Sequence, residues 1–340
     1  MRQPKDRGFV ETEEGLIFCL VGYLHPPNGS TAYLKYTPAE TGRWARGTKR
    51  FRRELEYYHV RNVAETLEFL STHHPCYVGF DPVRTLSFSF VPRDAVTIYY
   101  RPEEGLQGIM AAPADPLEKD VEALVSLLVV AGGPTLEAFG ITGSILLQTH
   151  DPSFSDIDLV VYGRDATAKV RAAVTLLKGG PIQAIAPDRL ARWRGETAGR
   201  FGLAPEDVAH LEARRWNYFQ FRIRYVSIHP IRREEEIQEA YGQSHYRAAG
   251  SPRSRQPWSM LPTASSCGPA TRWPDVVLRK GQRRQITELV SYEGLYCQAV
   301  DPGDRIVARG VVEQVDEGSC RLVVGAAGLS DGGFLKPLRT

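Results

Sequence analysis

The sequence predicts an α+β protein built from several domains. Three observations lead there. Stretches with a helical period alternate with short apolar runs that read as strands. A Pro/Ala/Asp break, Ala111 to Pro116, interrupts both patterns. From Gln285 to Val324 the patterning is strand-like. The expected architecture is an N-terminal α/β domain (8–110), a central mixed sheet with flanking helices (116–242), a linker-like segment (243–275) and a small C-terminal β-barrel-like unit (276–340). The length of 340 residues suits two or three domains, and 42% hydrophobic with 24% charged residues supports packed cores rather than bulk disorder.

In the first domain, Leu16 to Tyr23 and Thr31 to Tyr36 read as strands joined through the turn-rich His25-Pro-Pro-Asn-Gly-Ser30. Arg61 to Leu70 has helical spacing, with Val63, Leu67 and Leu70 on one face, and Thr85 to Val91 alternates like a strand. After the break, Leu117 to Val130 reads as a helix with Val121, Leu124, Val125 and Leu128 as its buried stripe, stopped by Gly132-Gly133. A short helix around Thr135 to Phe139 leads to an apolar strand, Ile141 to Leu147, interrupted by Gly143-Ser144. A strand from Asp156 to Tyr162 and a helix from Asp165 to Leu177 come next. Pro187 to Trp193 and Pro205 to Arg214 read as short helices, and Asn217 to Ile228 as one or two strands. The stretch from Gln243 to Asp275 is rich in Ser, Pro, Arg and Gly without a period, which reads as a linker or, alternatively, as a local frameshift in the gene. Asp304 to Val315 and Arg321 to Val324 are β-rich, and Pro302-Gly-Asp304 faintly suggests an OB-like barrel, which by itself supports no function.

Composition narrows the function classes. With 42 basic and 40 acidic residues the net charge is +2, so any footprint for nucleic acid must be local. The N-terminal residues contain no apolar signal core, and the longest apolar stretch, Val121 to Ala131, is too short to span a bilayer. The five cysteines are scattered and form no Cys-x-x-Cys pair, as expected of reduced thiols in a cytoplasmic protein.

The segment that carries chemistry is Gly143-Ser144, eleven intervening residues, and Asp156-Ile157-Asp158. On a strand, Asp156 and Asp158 share one face while Ile157 points into the core. Two neighbouring carboxylates repel and are hard to desolvate, a cost that a hard divalent cation relieves. Glycine lets backbone N–H groups approach an anion and serine adds a donor, so Gly143-Ser144 suits the phosphates of a nucleoside triphosphate. Together the parts fit in-line attack of a hydroxyl on the α-phosphorus with two metals assisting.

The run from Gly143 to Tyr162, and Ser155-Asp-Ile-Asp-Leu159 within it, resembles the Gly-Ser … Asp-x-Asp signature of the DNA polymerase beta-type nucleotidyltransferase superfamily. Most of the remaining chain is similar to archaeal predicted nucleotidyltransferases of unknown acceptor. The resemblance implies a nucleotidyltransferase core in which Gly143, Ser144 and Ser155 bind the nucleotide and Asp156 and Asp158 are catalytic and hold Mg²⁺ or Mn²⁺. It also implies a third carboxylate on a later strand. The candidate strand, Phe221 to His229, offers Ser227 and His229 but no acid, with Glu234, Glu235 and Glu236 beyond it. The shortfall could be met by Glu234, by His229 acting as base, or not at all.

Other residues are weighed against bland readings. His150, in the intervening loop, is expected to be a surface or local hydrogen-bonding residue before a substrate contact. His229 and Ser227 divide between sheet packing and the site. Arg222 and Arg224, with Arg214-Arg215-Trp216, are candidates for lining the nucleotide or acceptor cleft. Arg43 to Arg53 interleaves Trp44 and Phe51 with six cations. That combination points to an anionic partner and allows RNA through phosphate contacts and stacking, beside the plainer reading of a solvated loop. Arg279-Lys280 and Arg283-Arg284 read as a solvated face. The expected function is transfer of a nucleoside monophosphate from an NTP to a hydroxyl on RNA, protein or a small molecule. The alternative is a catalytically degenerate nucleotide- or RNA-binding module of the same fold.

Overall fold

The computed structural model describes residues 4–53, 60–248, 258–260, 270–272, 286–291, 293–297, 299–300, 304–316, 318–325 and 333–337. The architecture is α+β, with seven α-helices and three sheets among these residues. Arg279-Lys280 and Arg283-Arg284 lie outside the described residues.

The N-terminal domain is an eight-stranded sheet and one helix. Its strands are β1 (Phe9–Thr12), β2 (Ile17–Leu20), β3 (Gly29–Ala39), β4 (Trp44–Arg46), β5 (Lys49–Arg53), β6 (Val78–Asp81), β7 (Leu86–Pro92) and β8 (Val96–Tyr100), with helix α1 (Val60–His73). The main order is β4-β5-β3-β2-β1-β8, and β7 joins β3 to β6. Alternation sends Val10, Phe18, Leu34 and Val91 to the face that also buries Leu70 of α1 and Tyr77. Phe9, Ile17, Cys19, Tyr36 and Phe51 instead join the core of the next domain. Because both faces are covered, β1 and β2 are buried at every position, Glu11 included. Such strands lack the apolar–polar alternation by which a half-exposed strand is recognised. The basic stretch from Arg43 is a hairpin rather than a loop.

The central domain contains α2 (Pro102–Ala111), α3 (Pro116–Val130), β9 (Phe139–Ile141), α4 (Gly143–Leu146), β10 (Ile157–Tyr162), α5 (Arg164–Leu177), β11 (Ile182–Gln183), α6 (Pro187–Phe201), α7 (Pro205–Ala213), β12 (Tyr218–Phe221) and β13 (Arg224–Ile231). The sheet order is β11-β12-β13-β10-β9. Strands β10 and β13 are parallel and the other pairs antiparallel, the mixed sheet expected of this region. Helix α3 starts where Asp115 accepts from the N–H groups of Leu117 (2.7 Å) and Glu118 (2.9 Å), and its stripe Val121, Leu124, Val125 and Leu128 is fully buried. The expected strand Ile141 to Leu147 stops at Ile141. Gly143 takes φ +70° and the chain turns into the short α4, because a left-handed residue cannot continue a strand.

Two packing boundaries differ from the composition boundaries. Leu106 and Ile109 of α2 pack into the central core, so the helix before the Pro/Ala/Asp break belongs with the central domain. Phe201, Leu203, Val208 and Leu211, from α6 to α7, pack with the C-terminal unit.

That unit is a seven-stranded sheet of β14 (Tyr246–Ala248), β15 (Trp258–Met260), β16 (Ala270–Arg272), β17 (Ile286–Ser291), β18 (Ile306–Val315), β19 (Ser319–Val324) and β20 (Phe334–Pro337). Strand β18 pairs with β14, β15, β19 and β20 along its ten residues. Strands β14, β15 and β16 fall inside the segment read as a linker. Their partners lie on β17 and β18, which local composition cannot reveal; the rest of that segment from 249 on, Cys267 included, lies outside the described residues. No helix among the described residues is long and apolar enough to cross a membrane.

Candidate functional site

The sheet's middle pair sets the geometry. Parallel pairing puts Asp158 of β10 opposite Ser227 of β13 and Ile157 opposite Val226. Ile157, Leu159, Val226 and Ile228 are fully buried in the core shared with α3 and α5. The opposite face therefore presents Asp158, Ser227 and His229 together, with Asp156 one position before the strand begins.

Gly143 and Asp158 are in close contact. The backbone N–H of Thr142 donates to the Asp158 carbonyl at 2.9 Å, and a Cβ on Gly143 would meet Asp158 Oδ2 at 2.6 Å. Any side chain at 143 would thus overlap the carboxylate as well as strain the backbone. Ser144 lies in the first turn of α4, where its carbonyl accepts from the Thr149 N–H (3.0 Å).

The other oxygen of Asp158 is held by the Ser227 hydroxyl, and Ser227 Oγ lies 2.9 Å from His229 Nε2. With the carboxylate ionised, Ser227 donates to Asp158, so His229 carries its proton on Nε2 and donates to Ser227. Burial, with the like charges of Arg7, Lys35 and Arg215 nearby, pushes the His229 imidazole well below its ordinary value and keeps it neutral. Asp156 is pushed up to about 6, first by burial and then by the charge of Asp158, although Arg189 of α6 approaches it at 3.6 Å. The Arg189 guanidinium in turn lies 4.1 Å from the centre of the Tyr225 ring.

Several candidates fall elsewhere. Ser155 is buried, and its hydroxyl accepts from the Asp151 N–H at 2.9 Å, so it closes the loop before Asp156. Arg222 and Arg224 do not join Asp156 and Asp158. The period of two puts Arg224 with Val226 on the α3 side, where both arginines bind Asp120 at 2.5 and 3.0 Å. Arg214 pairs with Asp304 of the C-terminal unit, and Trp216 is in the core. Glu234, Glu235 and Glu236 form a 3-10 turn; Glu236 accepts from the N–H groups of Arg164 (2.8 Å) and Arg233 (2.9 Å). Phe51 is buried and is not a stacking platform for a base.

His150 binds Asp115 at 2.7 Å, tying the loop to the start of α3. Asp115, Glu118 and His150 bring three potential metal-ligand atoms within 4.8 Å of one another. Asp115 is already committed to capping α3, and Glu118 accepts from the Ala114 N–H at 2.6 Å, so the fold accounts for this cluster. Arg189 and Tyr225 were not foreseen. Arg189 arrives from a helix remote in sequence, and nothing local distinguishes it from the other arginines of α6.

An uncharacterized protein of Methanocaldococcus jannaschii is 26% identical to this chain over 332 residues, covering 94% of each. The likeness thus runs through all three domains and brings no activity with it. No family model matches the chain, and no solved structure does.

Proposed function

We propose that the chain is a metal-dependent nucleotidyltransferase that moves a nucleoside monophosphate from an NTP to a hydroxyl acceptor. The observation that carries this reading is the contact of Gly143 with Asp158. A turn that accepts only glycine lies against a carboxylate near the start of a central strand, with a second carboxylate two residues away. The donor set fits a hard cation: two carboxylates, one with a raised pKa and both with oxygen donors only. Asp156 and Asp158 would hold Mg²⁺ or Mn²⁺, which when bound supplies Lewis-acid stabilisation of phosphate charge.

This chain's own groups do the rest. Ser227, backed by His229, fixes the rotamer of Asp158. The Gly143-Ser144 turn offers the approach for phosphate oxygens. In the reaction the acceptor oxygen bonds to the α-phosphorus, the bond from that phosphorus to the bridging oxygen breaks, and pyrophosphate leaves with the electron pair. The acceptor's proton passes to solvent, which the half-buried Asp156 side chain adjoins.

One observation favours the second reading, a nucleotide-binding module without transferase activity: Ser227 and His229 occupy the strand next to the carboxylate pair, where a third acid is expected. The test incubates the protein with each labelled NTP, Mg²⁺ or Mn²⁺, and total cellular RNA and protein, beside Asp156→Ala/Asp158→Ala. Label moving to a macromolecule with the wild type alone supports transfer and identifies the acceptor class. Metal-dependent NTP binding without transfer supports the module, and neither binding nor transfer removes both readings.

A further inference from the structure

The N-terminal sheet sets a cationic, aromatic surface against the loop that precedes the carboxylate pair, and a bulge builds part of it. Between β2 and β3, Phe18 pairs with Leu34 and Ile17 with Tyr36, which leaves Lys35 as the extra residue. A bulge of this kind re-aims side chains locally. Lys35 accordingly leans over Phe9, at 5.1 Å from the ring, on the face that enters the central core. Tyr36 pairs with Arg53 of β5, whose guanidinium lies 3.4 Å from the Tyr36 hydroxyl and 4.4 Å from the Trp44 ring. The same hairpin reaches the loop before Asp156, where Arg43 stacks on Phe154 at 3.7 Å. Arg189 of α6 approaches Asp156 itself at 3.6 Å.

We propose that the N-terminal domain completes the site: Lys35 and Arg53 bind the phosphates of the nucleoside triphosphate, and Arg189 closes the same pocket from α6. The inference rests on the nucleotidyl-transfer reading and assigns its polyphosphate contacts to a domain outside the motif. Electrostatics agree with the geometry. Burial pushes the Lys35 ammonium down while Cys19 and Asp158 oppose the shift, so Lys35 and Asp158 sense one another. An ammonium and a guanidinium here offer charge-assisted donors of the kind that polyphosphate oxygens accept.

The test uses the full chain and inorganic tripolyphosphate, titrated calorimetrically with EDTA and then with Mg²⁺. Wild type should bind without metal, and Lys35→Met and Arg53→Gln should each weaken this about tenfold, the effect of losing one charge-assisted contact. Asp156→Asn/Asp158→Asn should bind metal-free tripolyphosphate at least as tightly as wild type, because two repelling charges are gone, yet lose any gain from Mg²⁺. Lys35→Arg should retain binding, which separates lost charge from lost folding, and Arg53 is exposed enough for its variant to fold. Wild-type affinity in both Lys35→Met and Arg53→Gln, or no metal-free binding at all, would overturn the proposal. A Mg²⁺ gain that survives in the Asp variant would instead sink the transfer reading while leaving the cationic wall standing.

Discussion

Two charged clusters occupy opposite faces of the central sheet, and they are built on opposite principles. Towards α3, the single carboxylate of Asp120 sits between Arg222 and Arg224, and Arg224 also donates to the Pro152 carbonyl. Every charge there has a partner, and the cluster fastens β13 to α3 and to the loop that precedes Asp156. On the other face two carboxylates stand at alternate positions, one of them raised to about 6 by burial and by its neighbour's charge. The fold gains nothing from that repulsion. An arrangement that costs stability while sitting beside a glycine-only turn supports the site proposed above rather than a fastening.

The comparison breaks most visibly at Asp120. Asp120→Ala leaves Arg224, only 6% exposed at its side chain, without its carboxylate, and should destabilise the protein by about 3–5 kcal/mol. Asp158→Asn should cost far less, because it removes repulsion along with the charge on the Ser227 hydroxyl bond. Equilibrium denaturation of the two variants ranks them, and the reverse order would erase the distinction between the faces.

A lone buried titratable group obeys the logic of the fastening cluster. His25 Nδ1 accepts the Thr31 N–H at 3.1 Å, which requires the neutral ring, and burial together with the charge of Arg84 lowers its pKa from 6.5 to about 4. The folded state thus binds the proton less readily than the unfolded chain. This contribution is complete above pH 6.5 and is lost as pH falls towards 4, by about 2–3 kcal/mol. Thermal melts across that window should show the loss, and His25→Leu should flatten it.

The difference between the two faces was only half legible in the sequence. Asp156, Asp158 and Gly143-Ser144 could be read because they lie within one short segment, where strand alternation alone fixes their relation. The pairing of Arg222 and Arg224 with Asp120 could not, since Asp120 lies about a hundred residues away on a helix whose pattern announces only its apolar stripe. Strand β1 was hidden for a related reason. A sheet covered on both faces buries Glu11 beside Phe9 and Val10, and the acid is neutralised by Arg46, 35 residues further on. Strands β14, β15 and β16 escaped because their partners, not their composition, make them strands.

A smaller effect tests the turn itself. Gly143→Ala places a Cβ 2.6 Å from Asp158 Oδ2 at φ +70°. The strain should cost about 1–3 kcal/mol, and the carboxylate must move to relieve the overlap. Metal-dependent NTP binding should fall more than stability does. A Gly143→Ala protein that binds NTP as wild type would show that the Gly-Ser turn and Asp158 do not act together.

The smallest change probes how Asp158 is held. Ser227→Ala removes the hydroxyl between Asp158 and His229, leaving the His229 N–H without its acceptor, and should destabilise by about 1 kcal/mol. Asp158 then loses the donor that selects its rotamer. If the orientation matters, metal affinity falls while Ser227→Thr, which keeps the hydroxyl, restores it. Isothermal titration with Mg²⁺ reads this directly. Equal metal affinity in wild type and Ser227→Ala would make the Asp158–Ser227–His229 chain a packing feature, and the two faces of the sheet would then differ in the carboxylates alone.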